Sequence, residues 1–88
     1  MRAEVRLFAV ARQRAGQPML ALEVSEPATV ALLKRALAEA CPALAPLVPS
    51  LLIAVDSEYA AADAPIPPGA EVAAIPPVSG GAGGGAGR

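Results

Sequence analysis

Gly80 and Gly81, preceded by Pro76-Pro77-Val78-Ser79, are the residues of this 88-residue chain best suited to chemistry. That chemistry belongs to the main chain rather than to a side chain. Paired prolines fix φ and predict an extended stem leaving the last folded element. A glycine tip lacks Cβ atoms, so a terminal carboxylate there can enter a narrow channel on another protein and be gripped through its backbone. Composition alone also fits a chain end without function, because Ala82 to Arg88 is rich in Gly and Ala and cannot build a core.

Side chains offer little else for catalysis. The sequence has no His, no Trp and one Cys, so neither a His-based acid/base pair nor a Cys/His metal cluster is expected. Cys41 lies in an apolar helical setting and reads as a reduced core residue. Formal net charge is -1, and Arg2, Arg6, Arg12, Arg14, Lys34, Arg35 and Arg88 are spread along the chain, which argues against nucleic acid as a partner. The longest apolar stretch, Leu44 to Val55, is interrupted by Pro46, Pro49 and Ser50, too short and too broken to span a membrane. Charged residues near the N-terminus break up any secretory signal, so a cytoplasmic location is expected. A chain of this size supports one small domain with a modest core, which favours a carrier or binding module over an enzyme with its own pocket.

The elements that must position the tail follow from periodicity. Val5, Leu7 and Ala9 alternate with Glu4, Arg6 and Phe8, predicting a half-buried strand. Arg12 to Gln17 reads as a turn, and Leu20, Leu22 and Val24 give a second strand in a hairpin with the first. Thr29 is placed to cap a helix carrying Val30, Leu33, Leu37, Ala40 and Cys41 on one face, stopped by Pro42. Leu51 to Val55 is continuously apolar and predicts a central strand buried on both faces. Asp56 to Glu58 then makes a turn, Tyr59 begins a short edge strand, and Glu71 to Ile75 forms the last strand. One main helix across a mixed sheet of four or five strands is an α+β architecture, and this element order matches the β-grasp (ubiquitin-like) roll. Residues 1–79 are expected to form the domain and residues 80–88 a Gly-rich tail.

Three stretches together resemble the sulfur-carrier (small) subunit of molybdopterin synthase. They are Leu7-Phe8-Ala9 with Arg12 and Gly16, Leu52-Ile53-Ala54-Val55, and Pro68-Gly69-Ala70-Glu71-Val72 running on to Pro76-Pro77-Val78-Ser79-Gly80-Gly81. The proline pair separates this ending from that of the related thiamin-pathway carriers. The resemblance implies that the chain is a non-catalytic sulfur donor which holds no cofactor or metal itself. A ubiquitin-activating-like adenylyltransferase would use ATP to adenylate the Gly81 carboxylate, and sulfur would replace AMP to give a thiocarboxylate. The tail would then enter the large catalytic subunit of molybdopterin synthase and pass its sulfur to a pyranopterin precursor, Gly80 letting the backbone into the channel. It also implies that Phe8, Tyr59 and Ile75, with Pro76, Pro77 and Val78, face that subunit. Phe8 and Tyr59 are the only aromatics here, a residue class enriched at interfaces, although each also fits simple packing. Arg12 could bind a partner carboxylate or be a solvated surface residue.

The sequence departs from that pattern at Gln13, Asp56 and Ala70, and it continues past Gly81. Gly81 has no free carboxylate until Ala82 to Arg88 are removed; a maturation protease is one account of this ending, and a sequence extended by frame drift or Gly-rich residues nearer the end standing in for the pair are the alternatives. Three rivals share the same residues: a ubiquitin-like modifier joined to target lysines through Gly81, a carrier for another sulfur pathway, and a β-grasp interaction module with an inactive tail.

Overall fold

Alternation in the first strand decides which way the sheet faces. In β1 (Arg2–Leu7), Ala3, Val5 and Leu7 are buried while Arg2, Glu4 and Arg6 are exposed. The structure, a computed structural model, describes residues 1–77. After β1 come α1 (Ala9–Ala15), β2 (Met19–Glu23), α2 (Val30–Ala40), β3 (Leu52–Val55), β4 (Glu58–Tyr59) and β5 (Val72–Ile75). The five strands form one mixed sheet in the order β2-β1-β5-β3-β4. β1 pairs antiparallel with β2 and parallel with β5, and β5 pairs antiparallel with β3.

Among the described residues only one face of this sheet is covered. Val30, Leu33 and Leu37 of α2 join Val5, Leu7, Ile53, Val72 and Ala74 of the sheet in a single buried cluster. Each Val, Leu or Ile side chain among them contributes about 1.5–3 kcal/mol on leaving water. Among the described residues no polar or charged side chain is buried.

The start of α2 is built as the sequence predicts. Thr29 Oγ1 accepts a hydrogen bond from Leu32 N at 3.3 Å. The N–H groups of Val30 and Ala31 donate to the carbonyls of Ala64 and Ala62 at 3.1 and 2.9 Å, so the first turn is satisfied partly by the later loop. The helix ends at Cys41, which is partly buried, and Pro42 opens a short 3₁₀ turn (Pro42–Leu44). A second 3₁₀ turn, Val48–Ser50, leads into β3.

Four sequence expectations are corrected. Residues 12–17 are mostly not a turn, because α1 runs through Ala15 and closes on Gly16 at φ 76°, whose N–H donates to the Arg12 carbonyl. Ala11 is the one buried residue of α1, so the helix has no apolar stripe for periodicity to detect. The available signal was the run of good helix formers ended by a glycine fit for the left-handed position. Nor is the Leu51–Val55 strand central or buried on both faces: β5 occupies the centre, and Leu52 is exposed. The last strand starts one residue later than expected, at Val72, and Ala9 opens α1 rather than extending β1.

Candidate functional site: the open sheet face and the root of the tail

Cross-strand register builds the site on the uncovered face. Leu52 of β3 lies opposite Ile75 of β5, and Ala54 lies opposite both Ala73 and Tyr59. Ala73 is opposite Arg6 of β1, which is in turn opposite Met19 of β2. Residues paired across neighbouring strands share a face. One row therefore crosses the whole sheet as Tyr59, Ala54, Ala73, Arg6 and Met19. A second row, Leu52 and Ile75, lies closer to the end of β5. Phe8 is extended (φ -125°, ψ 155°), so alternation carries it to the face of Arg6, at that same end.

The row therefore ends where the stem begins. Ile75 is the last residue of β5, and Pro76 and Pro77 follow it directly. Leu7 pairs with Ala74 in parallel register, so the ends of β1 and β5 lie side by side. Phe8, Tyr59 and Ile75, singled out in the sequence, are brought onto one face, with Tyr59 70% exposed, Phe8 43% exposed and Ile75 partly buried. Val78, Gly80 and Gly81 lie outside the described residues.

The sequence reading missed Leu52, which is 44% exposed on this face. Its signal was present but misread: a continuous apolar run in a sheet covered on one side leaves an apolar residue facing out. Leu52, Tyr59, Phe8 and Met19 together are the kind of exposed apolar cluster that marks a docking surface.

Local backbone features hold both ends of the face. Just beyond Phe8, Ala9 has φ 51°, a left-handed conformation that costs a non-glycine residue roughly 1–2 kcal/mol. It turns the chain off the sheet immediately after Phe8. At the other edge, Asp56 and Ser57 both have positive φ (51° and 73°) and form the two-residue turn joining β3 to β4. Asp56 also accepts a hydrogen bond from Glu71 N through Oδ1 at 3.0 Å, while its own N–H donates to the Glu71 carbonyl at 2.8 Å. The hairpin carrying Tyr59 is thus tied to the start of β5.

One family of sequences spans this fold and its Gly-Gly ending: the ThiS family model matches residues 5–81, from β1 through the second glycine of the pair. The chain belongs to the ThiS family. Solved structures agree on the β-grasp, ubiquitin-like fold. This ThiS-family protein is 31% identical to SAMP1 from Haloferax volcanii, a small archaeal modifier protein, over 91% of this chain and 99% of that one, with a TM-score of 0.79. A Pyrococcus furiosus protein described as molybdopterin converting factor, subunit 1, is 26% identical over 89% of this chain and 99% of that one, with a TM-score of 0.77. The complex of subunits 1 and 2 of molybdopterin-converting factor from Helicobacter pylori also matches, at 21% identity over 91% of this chain and 99% of the matched chain, with a TM-score of 0.63, and shares the fold. No curated protein matches the sequence. Among the described residues of this ThiS-family chain, no helix is long and apolar enough to cross a membrane, and no cluster of His, Cys, Asp or Glu could hold a metal ion.

Proposed function

We propose that the protein is a sulfur carrier for molybdenum cofactor biosynthesis, working from the C-terminal carboxylate of Gly81. The observation that carries this reading is the placement of Ile75 and Leu52, an outward apolar pair at the root of the Pro76-Pro77 stem. A partner that grips this face is positioned to receive whatever follows the stem. The family match, which runs through Gly81, and the likeness to molybdopterin converting factor subunit 1 support the same assignment.

In the proposed cycle a protease first removes residues 82–88. A ubiquitin-activating-like adenylyltransferase joins the Gly81 carboxylate to AMP from ATP, releasing pyrophosphate. A sulfur nucleophile then displaces AMP and leaves a thiocarboxylate. The carrier docks through Phe8, Leu52, Tyr59 and Ile75 on the large catalytic subunit of molybdopterin synthase, and the tail presents its sulfur to the pyranopterin precursor. The carrier supplies position and its partners supply catalysis. Its place would be that of subunit 1 beside subunit 2 in the Helicobacter pylori complex. The reactions themselves belong in the cytoplasm.

The resemblance to SAMP1 favours a second reading, in which the same Gly81 carboxylate is joined to lysines of target proteins. Intact mass of the protein from its native host, grown while molybdenum cofactor is being made, separates the two. A chain ending at Gly81 with one oxygen exchanged for sulfur is the expected result. Gly81 linked to lysine side chains instead would establish the modifier. A population ending wholly at Arg88 would reject Gly81 as the donor and leave an interaction module.

A further inference from the structure

Beside the apolar face lies a cleft of about 290 Å³ lined by Arg6, Leu7, Phe8, Arg12, Pro18 and Met19. Its position follows from topology. Arg6 and Met19 are cross-strand partners in β1 and β2, Phe8 lies between β1 and α1, and Arg12 comes from the last turn of α1. Ala9, at φ 51°, turns the chain off the sheet into α1, and Arg12 of that helix lines the same cleft as Arg6, Leu7 and Phe8.

Two arginines thus line the cleft with four apolar residues, and among the described residues neither takes part in an ion pair. Glu4 and Glu71 share a neighbouring hollow with Arg6, on the side away from the stem, but neither lines the cleft. Towards the start of β1 the outer face carries Glu4, paired with Arg2 at 3.8 Å, together with Glu71, whereas towards the root of the stem the cleft carries Arg6 and Arg12 without a carboxylate. Exposed Phe8 and Met19 gain from being covered, and planar guanidinium groups pair with carboxylates through two parallel hydrogen bonds.

We propose that the Arg6–Arg12 cleft is a carboxylate-reading subsite of the docking face. It takes an Asp or Glu side chain of the large synthase subunit, set next to an apolar side chain that packs on Phe8 and Met19. The inference rests on the reading that this face docks the large subunit, and it adds partner chemistry and register. Apolar contacts at Leu52 and Ile75 tolerate sliding, whereas a carboxylate held by two arginines at one corner fixes the orientation in which the stem points.

The test is calorimetric titration of the full chain against the large synthase subunit of the same organism at low and high salt, with thermal melts to verify folding. Charge reversal at both positions, R6E with R12E, is expected to weaken binding by on the order of a hundredfold, and either alone by on the order of tenfold. R14E, on α1 but outside the cleft, should stay within about twofold, and R12K should recover only part of the affinity because it cannot form the paired contact. Wild-type affinity should fall with salt more steeply than that of R6Q with R12Q. Wild-type binding matched by a folded R6E/R12E variant would overturn this subsite and leave the docking face standing. A folded wild-type chain that fails to bind the large subunit both at full length and when ending at Gly81 would overturn both.

Discussion

At the scale of single residues, the exposed side chains carry more information than the buried ones. A leucine on the outer face of an inner strand gains nothing from water, and among the described residues no element covers Leu52. Its partner across the strands, Ile75, is the last residue before the stem. Replacing Leu52 with Ser should therefore separate stability from docking. Melting temperature should change little, since the side chain is already 44% exposed, while affinity for the large subunit should drop by about 1–2 kcal/mol, the usual loss for a moderate interface contact. A melt together with a titration checks this. A large fall in melting temperature with unchanged affinity would place Leu52 among the stabilising residues and remove it from the interface.

Elements depend on contacts that cross long stretches of sequence. Lys34, on α2, sends its Nζ to the carbonyls of Leu51 and Pro49 at 3.1 and 3.4 Å, gripping the chain just before β3. It is the sole lysine of the sequence, and its role here is to join helix to strand. Lys34→Met keeps the aliphatic stem and removes both hydrogen bonds, with an expected loss of about 1–2 kcal/mol in denaturant unfolding. No measurable loss would mean that the 3₁₀ turn at Val48–Ser50 holds β3 without help.

This contact also marks where sequence reading stopped. β1, β2, α2 and the β3–β4 turn were legible because their signals are local: alternation, a Thr cap, a helical stripe and a proline stop. The parallel pairing of β1 with β5 was not, because nothing local in Val72-Ala73-Ala74-Ile75 says that it fills the centre of the sheet. α1 escaped because it buries only Ala11. At the site, aromatic content and family pattern exposed Phe8, Tyr59 and Ile75. Leu52 was hidden because an apolar run reads the same whether its second face meets a helix or awaits a partner. Arg6 and Arg12 were legible as charges, but their convergence on one cleft depends on the backbone reversal at Ala9.

For the molecule as a whole, the division of labour between folded body and chain end leads to a prediction with two independent readouts. Every buried side chain among the described residues lies between Ala3 and Ala74, and the sheet is complete at Ile75. Chemistry at Gly81 should then be separable from folding. Three chains can be compared: full length, ending at Gly81, and ending at Pro77. Their melting temperatures should agree closely, because a domain of this size shifts by roughly 4–8 °C for each kcal/mol. Adenylation by the activating enzyme, followed as pyrophosphate release from ATP, should occur with the chain ending at Gly81 and be absent from the other two. The full-length chain lacks the free Gly81 carboxylate, and the shortest lacks the residue altogether. A shift above about 4 °C on shortening to Pro77 would mean that residues 78–88 contribute about 1 kcal/mol to the fold, against a purely chemical role for them. Adenylation of the full-length chain would instead move the reactive carboxylate to Arg88, making both the protease and the Gly80-Gly81 pair unnecessary. Only the combination of unchanged melting with activity confined to the Gly81 ending supports a stable β-grasp body that serves to present a chemically active tail.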